Sequence, residues 1–294
     1  FAAGGFHRDP PIPTSPSRAP TCGPAFAFGD DGVLRTEGNT SMAGCAATYP
    51  SFLAFVPGVG DPVAAARDFS CVASLGTGGC GFEQQLEAVL KATTPSTAPT
   101  RFFMGTTGHA DGANAGFLRP DSVLVAFLLT DENDCSARDP DLFNPGSATY
   151  GATDLNLRCF AHPGALHPLT RYADGLVATR TDPRDFIFAA VVGVPVDLIP
   201  LGAAAPDYAR ILSDPRMVER TDPFAPLRLV SSCTVPTRGD AYPPRRIVRT
   251  AQEIGARGAA AIVGSICQAD LSDSMDAVLD RISARLAESC SATP

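Results

Sequence analysis

Three segments of this chain are apolar on both faces of an extended strand. Residues 122–130, Ser122-Val123-Leu124-Val125-Ala126-Phe127-Leu128-Leu129-Thr130, run without a charge into Asp131-Glu132-Asn133-Asp134-Cys135. Residues 185–195 and 259–266 repeat the pattern around Phe186-Ile187-Phe188 and Ala260-Ala261-Ile262-Val263. Such runs suit the interior of a helix-covered parallel sheet. Helical spacing predicts helices at 82–92, where Phe82, Leu86, Val89 and Leu90 share one face, and again at 169–179, 246–256 and 271–286. Strands alternating with helices imply an α/β fold. Its expected form is a doubly wound, mainly parallel sheet flanked by helices, with right-handed crossovers and long disulfide-tethered loops. Residues 1–70 are rich in Pro, Gly, Ser and Thr, with turn signals such as Gly29-Asp30-Asp31-Gly32. They read as a loop-dominated N-terminal part of the same domain, ahead of an α/β core over 71–294.

Composition narrows the class. With 294 residues, 45% apolar and 18% charged, the chain can bury a substantial core. No stretch approaches the roughly 20 apolar residues of a membrane-spanning helix. A net charge of −8 argues against general nucleic-acid binding. Lysine occurs once, at Lys91. The nine cysteines include no Cys-x-x-Cys pair, which disfavours a zinc ribbon and favours disulfides in an oxidising compartment. Pairing neighbours in sequence gives Cys22–Cys45, Cys71–Cys80, Cys135–Cys159 and Cys233–Cys267, with Cys290 left over. The expected location is extracellular or at the cell surface. Phe1-Ala2-Ala3-Gly4-Gly5 does not form a signal peptide, so any export signal is expected to have been removed.

In an open parallel sheet, ligands bind beyond the carboxyl ends of the strands. The switch at Thr130-Asp131 therefore places carboxylates at the functional edge, and Mg2+ or Ca2+ takes such oxygen ligands. Asp131 is the leading candidate, with Glu132, Asn133 and Asp134 completing an oxygen-rich turn; a helix cap is the alternative role for Asp131. His162 and His167 lack helical zinc spacing, and no His-Glu-x-x-His or nucleophile elbow is present. The loop Gly76-Thr77-Gly78-Gly79 lacks the P-loop lysine. Asn39-Thr40-Ser41 fits a glycosylation sequon. The Asp-Pro pairs at Asp182, Asp214 and Asp222 read as turn or helix starts.

Phe69-Ser70-Cys71-Val72-Ala73-Ser74-Leu75-Gly76-Thr77-Gly78-Gly79-Cys80-Gly81-Phe82-Glu83-Gln84-Gln85-Leu86, then Gly116-Phe117-Leu118-Arg119-Pro120 and Leu129-Thr130-Asp131-Glu132-Asn133-Asp134-Cys135-Ser136, resemble secreted bacterial von Willebrand factor A (VWA)-like proteins. The resemblance extends through Ser265-Ile266-Cys267. It implies a doubly wound α/β module with a metal site drawn from three loops at the carboxyl edge. Asp131 then matches the third loop and Thr77 is the best hydroxyl in the second, with Asp134 a further candidate ligand. The first loop, Asp-x-Ser-x-Ser, has no counterpart ahead of them. Asp270-Leu271-Ser272-Asp273-Ser274 occurs at the opposite end, where a helix cap is the expected role.

The resulting expectation is a binding module without catalytic activity, adhering to another protein through Mg2+ or Ca2+. The alternatives are a structural subunit of an extracellular assembly with a degenerate metal site, and a secreted metal-assisted hydrolase. A central strand absent from the pattern would come from the N-terminal segment in a different arrangement, from a second polypeptide or from a longer chain.

Overall fold

The structure, a computed structural model, describes residues 31–75, 82–200 and 204–291. Cys22, Thr77 and Cys80 lie outside the described residues, as does the side chain of Cys290. The chain forms two compact units, one comprising residues 1–117 with 143–148 and the other 118–142 with 149–294.

In the first unit, α1 spans Pro62–Ala73 and α2 spans Gln85–Thr93. The start of α1 follows from local chemistry: Asp61 accepts the Val63 N–H, and Pro62 occupies the first helical turn. Asn39 fixes the other end, donating its backbone N–H to Cys71 O at 2.8 Å and its amide to Ser74 O at 2.9 Å. These bonds bring residues 39–45 to the end of α1, where Cys45 joins Cys71 with Cα atoms 5.5 Å apart. The expected pairs Cys22–Cys45 and Cys71–Cys80 are corrected accordingly: proximity in the fold overrides proximity in sequence.

Every residue of α2 is buried, including the chain's only lysine. Lys91 is 2% exposed, and its Nζ lies 2.5 Å from Asp31 Oδ1 and 2.8 Å from Thr106 Oγ1. The Phe102 ring lies 5.6 Å from the ammonium. Asp31 also meets His109 Nε2 at 3.2 Å, while the Asn114 amide donates to Gly32 O and Ala92 O. Asp31 and Gly32 both have positive φ, 53° and 76°, and a Cβ at Gly32 would sit 2.8 Å from Ala88 O. Glycine is therefore needed for this approach to α2.

The second unit contains, in order, β1 (Leu124–Leu129), α3 (Arg158–Ala161), α4 (Thr170–Val177), β2 (Phe186–Val192), α5 (Tyr208–Ser213), β3 (Thr221–Asp222), β4 (Ala225–Leu229), β5 (Cys233–Val235), β6 (Gly239–Ala241), α6 (Arg245–Ala256), β7 (Ala260–Ser265) and α7 (Ser272–Ser291). A three-stranded parallel sheet has the order β1-β2-β7. All seven residues of β2 are buried, as its uninterrupted apolar run requires.

α6 and α7 pack against β2 and β7, and α4 packs against α6. Gly255 of α6 approaches Ala261, whereas a Cβ on Gly264 would collide with Ser274 of α7. Residues 261 and 264 point to opposite faces of a strand, so these helices flank both faces. Among the described residues, no strand pairs with the outer edge of β1. A complete VWA sheet is therefore not shown by the three-stranded arrangement.

Cys135–Cys159 and Cys233–Cys267 are the other disulfides among the described residues, linking neighbours in the cysteine order. The 193–244 crossover contains two short antiparallel hairpins, β3–β4 and β5–β6, which the apolar pattern did not disclose.

Candidate functional site

The carboxyl end of β1 continues into Thr130 and Asp131, where Thr130 N–H still bonds Val191 O of β2 at 3.2 Å. Thr130 Oγ1 then accepts the Glu132 N–H and turns the chain. Asp131 is exposed, and its carboxylate makes no hydrogen bond or ion pair among the described residues. Its backbone carbonyl accepts the Tyr242 N–H at 2.8 Å, joining this turn to the end of the β5–β6 hairpin.

Asp134 has a different environment. Its side chain is fully buried and lies 3.2 Å from Arg246 Nε. Ser136 donates its hydroxyl to one carboxylate oxygen at 2.6 Å and its backbone N–H to the other at 3.1 Å. Asn133 accepts the Arg246 N–H and donates to Glu219 Oε1 at 2.9 Å, tying the turn to the start of α6. Burial raises the Glu219 carboxyl above its ordinary pKa.

Arg246 also donates to His167 O at 3.0 Å. Burial, followed by the field of Arg171, lowers the His167 imidazole to about 4, so it is neutral near pH 7. The turn thus holds an internal ion pair. No group of three His, Cys, Asp or Glu side chains among the described residues forms a metal-holding cluster.

The donor chemistry does not support the expected ligand set. The Asp134 carboxylate is already compensated by a guanidinium and two Ser136 donors, leaving Asp131 as an isolated open carboxylate. Thr77, the remaining expected ligand, cannot be placed because it lies outside the described residues. Asp270 accepts the Ser272 N–H and hydroxyl at 2.9 and 2.7 Å, the helix-start role expected for that segment. Asp182, Asp214 and Asp222 each accept the N–H two residues ahead. Arg184 and Arg216, respectively, are the leading causes that lower Asp182 and Asp214 to about 2. The Asn39 amide bonds Ser74 O, so the sequon nitrogen is already engaged.

The two hairpins line an open cleft of about 230 Å3, which reaches Tyr242, the residue bonded to the Asp131 carbonyl. Its lining includes Arg220, Phe224, Arg228, Asp240 and Tyr242. Arg228 lies 3.3 Å from Asp222 and 3.9 Å from Asp240. The exposed Arg220 side chain has no acidic partner among the described residues. Phe224, at the hairpin turn, is 96% exposed, and Leu227 on β4 is also exposed. Cys233–Cys267 and the bond from Arg238 to Gln268 O tie the second hairpin to the segment following β7. These hairpins escaped the sequence reading because their strands are only two to five residues long, too short for an alternating pattern to show; the turn signal Asp222-Pro223 marked only their start.

Comparison with known proteins gives no match: no family model, curated protein or solved structure is similar to this chain.

Proposed function

We propose that the chain is a VWA-like protein-binding module of the cell surface or extracellular space, engaging its partner through the carboxyl edge of the sheet. The observation carrying this reading is the juxtaposition of the almost fully exposed Phe224 with Arg220, which has no acidic partner among the described residues, in one cavity lining. Aromatic and arginine side chains dominate interface hot spots, especially where both can be desolvated together. Cys233–Cys267 restrains the β5–β6 hairpin, which lines the same cavity through Asp240, and so reduces the ordering required on binding.

The three disulfides among the described residues support an extracellular location. No helix among the described residues is long and apolar enough to cross a membrane. The parallel β1-β2-β7 order and the helices on both faces support the VWA-like reading of the core. The apolar outer edge of β1 favours pairing with a strand supplied from outside the described residues, because an uncovered edge offers unpaired backbone groups.

A photo-crosslinker at Leu227 tests the binding reading in the full chain, incubated with the surface fraction of the producing cells. A discrete crosslinked protein is expected with the otherwise wild-type chain. Phe224→Ser or Arg220→Glu should lower its yield at least about tenfold, the scale of a modest hot spot. Equal yields from all three proteins would reject the hairpin surface.

The second reading is a structural subunit of a surface assembly, favoured by a separate apolar surface in the first unit. Metal-bridged adhesion through Mg2+ or Ca2+ has a narrower basis, the exposed carboxylate of Asp131. Its remaining ligands would have to come from a partner or from residues such as Thr77.

A further inference from the structure

A surface on the first unit has a distinct chemistry and does not depend on the carboxyl-edge reading. Residues 38–60 contain no charged side chain in a chain of net charge −8. The segment ends in a tight turn in which Val59 N–H bonds Val56 O at 3.2 Å, with Gly58 at φ 78°. Pro57 and Gly58 supply the two central residues that a type II turn favours. Gly60 permits close approach of the Phe55 ring: a Cβ there would lie 3.2 Å from that ring.

Both ends of the segment are tied down. Cys45–Cys71 fixes one end to α1, and the Asp61 cap fixes the other at its first turn. The segment nevertheless presents apolar side chains to solvent. Phe52, Phe55, Val56, Val59 and Val63 are 62%, 39%, 56%, 86% and 75% exposed. Helix α1 adds to this exposure, with only Cys71 and Val72 buried along it.

These five side chains expose on the order of 500 Å2, taking roughly 150–200 Å2 for a fully exposed large apolar side chain. As a sum, that is comparable to the largest apolar patch of a monomer, about 300–600 Å2. It also supplies most of the roughly 800 Å2 per partner in a stable protein interface, leaving the remainder for a polar rim.

We infer that this surface is the contact between two copies of the chain. Charge decides among occupants of similar shape. Two molecules of charge −8 repel wherever their acidic surfaces meet, but segment 38–60 brings no charge of its own to the contact, and the carboxylate that follows it, Asp61, is engaged as the cap of α1. A two-fold interface would place the same apolar turn on each side, making the surface self-complementary. Preorganisation by the disulfide and the helix cap limits the ordering that association requires.

Analytical ultracentrifugation of the full chain at rising concentration tests the proposal, beside Val59→Glu and Phe224→Ser. The wild-type chain is expected to dimerise with a Kd on the order of micromolar, and Val59→Glu to weaken this at least about 100-fold. Far-UV circular dichroism should match the wild-type protein, since Val59 is exposed. Phe224→Ser should leave the dimer intact; its binding phenotype reports separately on the carboxyl edge. If Val59→Glu fails to fold, Phe52→Ser replaces it without introducing charge and should weaken the dimer at least about tenfold. A wild-type monomer at about 100 µM, or a dimer unaffected by these variants, would overturn the proposal. Co-sedimentation of monomer with phosphatidylcholine vesicles, lost in Val59→Glu, would instead identify a lipid surface as the occupant.

Discussion

Replacing Arg246 with methionine isolates the interaction that most clearly separates an internal ion pair from a metal site. The guanidinium lies 3.2 Å from the fully buried Asp134 carboxylate. At an effective dielectric constant of about 20, unit charges at that distance attract by about 5 kcal/mol. Ser136 would continue to donate two hydrogen bonds, so the carboxylate would retain part of its compensation. Loss of the His167 O contact adds to the damage. The expected loss is about 3–4 kcal/mol, within the range for removing one partner of a buried pair. In urea this lowers the midpoint by roughly 1.5–2 M for a slope of about 2 kcal/mol per molar. Arg246→Met with Asp134→Asn should recover at least about 1 kcal/mol over Arg246→Met alone, because the buried charge is gone. A loss below about 1 kcal/mol in Arg246→Met, with no recovery in the double variant, would refute the ion-pair account.

Three other measurements test the rest of the structure. Peptide mapping without reduction should recover Cys45 linked to Cys71; recovery of Cys71 linked to Cys80 would contradict the observed arrangement. Lys91→Met should lose about 1–2 kcal/mol by leaving part-buried Asp31 without its ammonium partner, though still beside His109, and calorimetry should show a lower Tm; an unchanged Tm would deny that role. For His167, the folded pKa of about 4 lies below the ordinary 6.5. The unfolded chain therefore gains a proton first as pH falls from about 6.5 to 4, and stability declines across that window. Partial exposure of the ring reduces the expected effect to about 1–2 kcal/mol. His167→Asn should flatten this difference in urea melts, whereas parallel pH curves for the two proteins would assign the effect elsewhere.

The core elements were legible where one physical requirement dominated. The uninterrupted apolar run at Phe186-Ile187-Phe188-Ala189-Ala190-Val191-Val192 marks a strand buried on both faces, which it occupies as β2. Regular apolar spacing likewise located α2, α4, α6 and α7 to within a few residues. Helix α1 was hidden because its alanine-rich sequence has no strong polar–apolar alternation, although Asp61-Pro62 carried a start signal. The ion pair between Asp134 and Arg246 was illegible for another reason: the fold brings together residues separated by 112 positions. Read locally, Asp131-Glu132-Asn133-Asp134 is an oxygen cluster; the tertiary contacts give Asp134 a buried structural role and leave Asp131 exposed. Cys45 was similarly assigned by sequence proximity until Asn39 and the end of α1 defined its spatial neighbour.

The most direct test of carboxyl-edge binding is the yield of the Leu227 crosslink in Mg2+, in Ca2+ and after EDTA treatment, measured with Asp131→Ala and Arg220→Glu. A recognition surface centred on Phe224 and Arg220 predicts similar yields under all three metal conditions and in Asp131→Ala, but a large loss in Arg220→Glu. Loss on chelation and in Asp131→Ala, with retention in Arg220→Glu, would contradict the account and establish metal-bridged adhesion instead.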